Sequence, residues 1–143
     1  TALLAPQAAS LTCLEEDRRL AASLGARASG GNVRVLCGDA TEMALESESF
    51  DSVLAFTMLH HVTPARAQDA LFREAARVLR PGGLFAGVDS LDSPLFRALH
   101  WFDDLELPRP ETLARRLEEA GFHKTEISIR KRDFRFRAWR APA

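Results

Sequence analysis

Four positions that could touch a ligand fall just past short apolar runs. Leu11-Thr12-Cys13-Leu14 runs into Glu15, and Val33-Arg34-Val35-Leu36-Cys37 into Gly38-Asp39. Val53-Leu54-Ala55 runs into Phe56, and Leu84-Phe85-Ala86-Gly87-Val88 into Asp89. A carboxylate accepts hydrogen bonds on both oxygens, so Glu15 suits the two vicinal hydroxyls of a ribose. Asp39 suits an exocyclic amine such as that of adenine. Together the two describe a nucleoside pocket; singly, each is also what a strand-to-helix turn commonly carries. Asp89 has the chemistry to position an acceptor or take a proton, and equally to open a loop. His100-Trp101-Phe102-Asp103-Asp104 joins aromatic rings to carboxylates, a set that suits a cationic or amine ligand or ordinary packing. His60 and His61 are adjacent and cannot face one metal ion as an i, i+4 pair does. No third ligand is spaced to complete a site, so no metal is expected.

The elements that must carry these residues alternate. After the first apolar run, Leu20, Ala21 and Leu24 recur at helical spacing and Gly25 reads as the stop. Gly30-Gly31-Asn32 turns the chain into the second run, and Glu42 to Ser49 is polar enough to be loop. Phe50 to Phe56 is a third strand, apolar enough for burial on both faces. Thr63 reads as the cap of a helix with Pro64 at its first position, and Leu71, Ala75, Val78 and Leu79 form its apolar stripe. Arg80-Pro81-Gly82-Gly83 ends that helix before the fourth strand. A last helix spans about Pro110 to Ala120 with Gly121 as its stop. Ile127 and Ile129, then Phe134, Phe136 and Ala138, alternate at period two, which predicts an antiparallel hairpin turned near Lys131-Arg132-Asp133. The alternation predicts an α/β domain with a mainly parallel sheet, with ligands outside the carboxyl ends of its strands.

Composition narrows the function. With 46% hydrophobic and 27% charged residues the 143-residue chain is a folded domain, not a disordered or fibrous one. A net charge of -1 argues against nucleic acid as a partner, despite Arg130, Lys131, Arg132, Arg135, Arg137 and Arg140 on the hairpin. No apolar run approaches the ~18 residues of a membrane span. Two cysteines, Cys13 and Cys37, are too few for a secreted disulfide framework and fit a reducing cytoplasm.

In their order and spacing, Leu11 to Glu15, Cys37-Gly38-Asp39-Ala40, Ser49 to Val53, Leu59-His60-His61-Val62 and Arg77-Val78-Leu79-Arg80-Pro81-Gly82-Gly83 resemble a known family. It is the class I S-adenosylmethionine-dependent methyltransferases, in their small-molecule branch, and the resemblance continues to Leu117 to Phe122. It implies a Rossmann-like sheet with helices on both faces, S-adenosylmethionine as cofactor, and methyl transfer to a small-molecule acceptor. Glu15 matches the ribose-binding acid. Asp39 and Ala40 match the pair that addresses adenine through a carboxylate and a backbone N–H. Ala55 and Phe56 match the backbone that meets the methionine portion. His60, His61, Asp89, His100, Trp101 and Asp104 are the acceptor-side candidates. Where the acceptor is an amine or carboxylate, the family's chemistry needs alignment more than a base. Two departures stand out. Glu16 occupies a place where the family usually offers an apolar side chain to adenine, although a glutamate's methylene stem can still lie along a ring. The family's Gly-rich loop and the central strand before it have no counterpart, because Thr1 to Pro6 reads as the following helix already under way. The expectation is therefore one methyltransferase-like domain over residues 1–143, truncated at its N-terminal side and lacking its first central strand. The alternative is a non-catalytic remnant or binding module of the same fold.

Overall fold

The computed structural model describes residues 1–28, 31–99, 101 and 104–142, which fall into two compact units, Thr1–Ala44 and Leu45–Ala143. In the first unit, β-branched and apolar residues form strands β1 (Leu11–Glu15) and β2 (Val33–Cys37). They pair in parallel from Leu11 opposite Val33 to Glu15 opposite Cys37. Helix α1 (Arg18–Arg27) connects them. Asp17 starts it, its Oδ1 accepting from the N–H groups of Arg19 at 2.7 Å and Leu20 at 2.8 Å. Gly25 does not stop this helix: it lies inside the last turn, facing Val35, and the chain leaves only after Arg27. Ala21 is the buried residue of α1. Leu20, about 100° further round the helix, is exposed rather than part of the buried face. Thr1 to Pro6, read as a helix under way, forms turns and a short 3₁₀ segment, Ala5–Gln7. Asn32 ties that segment down, donating from Nδ2 to the carbonyls of Ala5 (2.8 Å) and Ala8 (2.9 Å).

The second unit holds a four-stranded sheet in the order β3-β4-β6-β5, formed by β3 (Phe50–Phe56), β4 (Leu79–Ser90), β5 (Phe122–Ile129) and β6 (Asp133–Arg140). The β3–β4 pair is parallel, and the two pairs made by β6 are antiparallel. Helices α2 (Ala65–Val78) and α4 (Pro110–Glu119) bring Leu71, Phe72, Ala75, Leu113 and Leu117 into the core. There Phe85 of β4 meets Phe72, Phe122 and Phe136 at ring-centroid distances of 6.0, 5.6 and 4.9 Å. A short helix, α3 (Pro94–Leu99), stands in what the sequence presented as plain connection; the Ser93 hydroxyl caps it, accepting from Phe96 N–H at 3.1 Å.

Three further expectations need correction. The Arg80-Pro81-Gly82-Gly83 segment belongs to β4, which follows α2 without a gap and shifts register against β3 between Phe50 and Ser52. Gly83 is required there, since a Cβ would lie 2.8 Å from the Arg80 carbonyl oxygen and 3.2 Å from that of Asp51. Second, β3 is not buried on both faces. Ala55 faces the core, whereas Leu54 and Phe56, on the opposite face of the pleat, are 40% and 50% exposed. Among the described residues β3 pairs with β4 alone and β1 with β2 alone, so each has one unpaired edge. Third, Thr63 does not cap α2. A cis Thr63–Pro64 bond leads in, Pro64 takes the cap position, and the Thr63 hydroxyl donates to Asp104 Oδ2 at 3.4 Å instead.

Candidate functional site

The in-step parallel register of the first unit delivers Glu15 and Asp39 at the same end of adjacent strands. The Glu15 carbonyl accepts from Gly38 N–H at 3.0 Å, so the pairing persists to the residue before Asp39. Glu15 Oε1 accepts from Asp17 N–H at 3.1 Å, and Asp39 Oδ1 accepts from Thr41 N–H at 2.7 Å. The second oxygen of each carboxylate, and the Ala40 N–H, are unbonded among the described residues. This donor set fits a nucleoside: two carboxylate oxygens for hydroxyl and amine donors, and one amide for a ring nitrogen. Glu16 is exposed beside them, its carbonyl accepting from the Cys37 thiol at 3.5 Å.

In the second unit β3 ends at Ala55, which is buried, and Phe56, which is half exposed. Thr57 then turns the chain with a φ of 48° while its N–H donates to the Val88 carbonyl at 2.8 Å. Met58 leads into the 3₁₀ turn Leu59–His61. Asp89, at the end of β4, has no solvent exposure. Its Oδ2 accepts from the N–H groups of Leu59 (2.9 Å) and His60 (3.3 Å). Its Oδ1 lies 2.5 Å from His60 Nδ1 and accepts from Ser90 N–H at 2.7 Å. His60 is buried too, its ring edge-on to Phe96 at 5.1 Å. Asp89 and His60 thus face each other inside the protein, whereas His61 is exposed, its ring 4.2 Å from that of His60.

Sequence reasoning missed the supports of this turn. Gln68, on the buried face of α2, donates from Nε2 to the carbonyls of Leu59 (3.0 Å) and Glu106 (2.5 Å). The Glu106 N–H in turn donates to the His60 carbonyl at 3.0 Å. Arg116 of α4 donates to Gln68 Oε1 at 2.9 Å, to Asp69 Oδ1 at 2.7 Å and to the Ala65 carbonyl at 2.8 Å, with its guanidinium 5.2 Å from the Phe72 ring centre. The available signal was a polar side chain three residues before Leu71, on an otherwise apolar stripe.

Of the remaining candidates, Trp101 is exposed and Asp104 holds Thr63, while His100, with Phe102 and Asp103, lies outside the described residues. Among the described residues no group of three or more His, Cys, Asp or Glu side chains could hold a metal ion. Arg135 and Arg137 are exposed on β6. Arg140 is committed to the fold, donating to the Leu79 carbonyl and to Glu48.

Parallel strands joined by a helix in each unit, and an antiparallel hairpin completing the four-stranded sheet of the second, define a Rossmann-like α/β protein. The chain belongs to the methyltransferase domain family, which it matches over residues 1–87, and S-adenosylmethionine is the cofactor that the class I fold implies. The same fold recurs in a SAM-dependent methyltransferase of Thermotoga maritima described as a possible histamine N-methyltransferase. It is 22% identical with a TM-score of 0.69, over 89% of this chain and 72% of that one. It recurs in the PH0226 protein of Pyrococcus horikoshii at 14% identity and a TM-score of 0.79, over 97% and 76% of the two chains. The cyclase SpnF matches at 16% identity and a TM-score of 0.77, over 99% and 70%. Among the described residues, no helix is long and apolar enough to cross a membrane.

Proposed function

We propose that this chain binds S-adenosylmethionine and transfers its methyl group to a small-molecule acceptor. The observation that carries the reading is the pair of strand-end carboxylates, Glu15 and Asp39, each with one oxygen uncommitted beside the open Ala40 N–H. When bound, the cofactor supplies a methyl group on a sulfonium, a good leaving group. The protein's own work is then binding and orientation. Glu15 accepts from the ribose hydroxyls, Asp39 and Ala40 address the adenine edge, and the Glu16 stem lies against its face. Ala55 and Phe56 receive the methionine portion. On the acceptor side the exposed His61 and Trp101, with the Asp104 carboxylate, suit an amine or cationic molecule. Cys13 and Cys37 are free thiols, in keeping with a reducing cytoplasm.

Calorimetry with S-adenosylhomocysteine tests this. Removing a hydrogen bond made by a charged group costs ~1.5–3 kcal/mol, so E15A and D39A should each weaken binding about 10- to 150-fold. No binding by the folded wild-type chain at millimolar ligand, or unchanged binding by the E15A/D39A double variant, would refute the reading. A second reading is a non-catalytic binding module of the same fold. It predicts S-adenosylhomocysteine binding with no methyl transfer to any of a panel of amines and carboxylates.

A further inference from the structure

The mechanism above leaves one buried ionisable pair unused, Asp89 and His60. Asp89 is 0% exposed and His60 3%. Three of the four N–H groups on the Asp89 carboxylate come from a single turn: the Leu59 amide, the His60 amide and His60 Nδ1. Ser90 N–H supplies the fourth. A buried carboxylate is tolerated when its oxygens are this fully satisfied, and a carboxylate so occupied has no lone pair left for an acceptor's proton. The imidazole cannot serve as an exposed base either, enclosed as it is against Phe96. What the pair does hold is geometry. The turn's outward carbonyls are fixed as well, Leu59 by Gln68 and His60 by Glu106, so the turn is gripped from both sides. Immediately before it stand Thr57, with its positive φ, and the end of β3.

We infer that Asp89 and His60 are positioning residues. They lock the 57–61 turn so that the Ala55–Met58 backbone keeps the shape that receives the cofactor and His61 is turned outward. The cofactor half of this inference rests on the proposed function; the lock itself does not.

The test combines amide hydrogen exchange with calorimetry on the full chain. In D89N the Leu59 and His60 amides lose their charged acceptor and should exchange at least about tenfold faster, and S-adenosylhomocysteine should bind at least about tenfold more weakly. H60N places a side-chain N–H close to where Nδ1 stood and should hold affinity within about threefold of wild type, whereas H60A should not. A folded D89N with unchanged protection of those amides overturns the lock. Lost protection with affinity within about twofold of wild type overturns its link to the cofactor. If D89N does not fold, equal behaviour of H60N and H60A, in exchange and in affinity, overturns the inference. If the wild type binds no S-adenosylhomocysteine, the proposed function and the cofactor half fall together, and the exchange measurement alone still decides the lock.

Discussion

Gly87 offers the sharpest test of how the second unit is packed. It lies on β4, in register with Ala55 of β3 on one side and Phe136 of β6 on the other. A Cβ added there would fall 2.5 Å from Phe136 Cε1 and 2.7 Å from Cζ, and would press on the Ala55 carbonyl oxygen. Real Cβ atoms essentially never approach so closely. The ring has little room to retreat: Phe136 is buried and packed edge-on to Phe85 at 4.9 Å. The Ala55 oxygen belongs to the backbone and moves only with β3. Overpacking a core costs ~1–3 kcal/mol, and a clash against both backbone and ring belongs in the upper half, ~2–3 kcal/mol. At ~4–8 °C per kcal/mol for a domain of 60–100 residues, G87A should lower the melting temperature by about 8–24 °C. Circular dichroism melts give the shift, and heteronuclear spectra should place the largest perturbations at Ala55 and Phe136. F136L removes the outer ring atoms, so the G87A penalty measured in an F136L background should be smaller than in wild type. Because Ala55 is a candidate cofactor contact, G87A should also weaken S-adenosylhomocysteine binding. A G87A protein within about 0.5 kcal/mol of wild type, or an undiminished penalty beside F136L, would refute this account of the sheet.

Two further outcomes can be measured directly. Arg116 spreads its donors over Gln68, Asp69 and the Ala65 carbonyl, an arrangement a lysine's single ammonium cannot reproduce. R116A should therefore cost ~1–3 kcal/mol and R116K should recover less than half of that in thermal melts; wild-type stability in R116K would refute the role. Paired hydrogen bonds from Arg97 hold the Asp92 carboxyl below the usual aspartate range; burial opposes them, and the charges of Arg97 and Arg109 add to the lowering. In R97Q an NMR titration should show the Asp92 midpoint rising. A folded value below the unfolded one stabilises above the unfolded pKa and is lost as pH falls through the folded one. The exposed position of this pair keeps its effect on stability small.

Much of the fold was legible because its signals are local. The apolar runs ending at Glu15, Asp39, Phe56 and Asp89, and the alternation of Phe134, Phe136 and Ala138, depend only on neighbours in the chain. The errors came where distant partners decide. Gly25 stays helical because α1 continues past it to Arg27, and Thr63 gives up capping because Asp104 offers its hydroxyl another partner. Leu54 and Phe56 look like core in the sequence, yet their side of the pleat lies opposite the face that meets α2 and α4. For the candidate site, residue type and pattern placed Glu15 and Asp39 at strand ends, and their surroundings are mostly their own turns. Residue type could not separate a surface Asp89 from a buried one. That depended on where a turn 30 residues earlier places the Leu59 amide.

The strand order has a consequence for assembly. Among the described residues, hydrogen bonds join β5 to the sheet only through β6, which follows it in the chain and inserts between β5 and β4. Until Asp133–Arg140 is in place, β4 presents a bare edge and β5 has no partner. Pairing of β6 with β4 is therefore the step that joins the hairpin to the parallel strands, and its register against β4 dictates the register of β5. An open β4 edge in the nascent chain invites pairing with other chains, the usual route to aggregation. Arg130, Lys131, Arg132, Arg135 and Arg137 gather on that hairpin. Their mutual repulsion discourages two unfinished copies from zipping together before each has closed its own sheet.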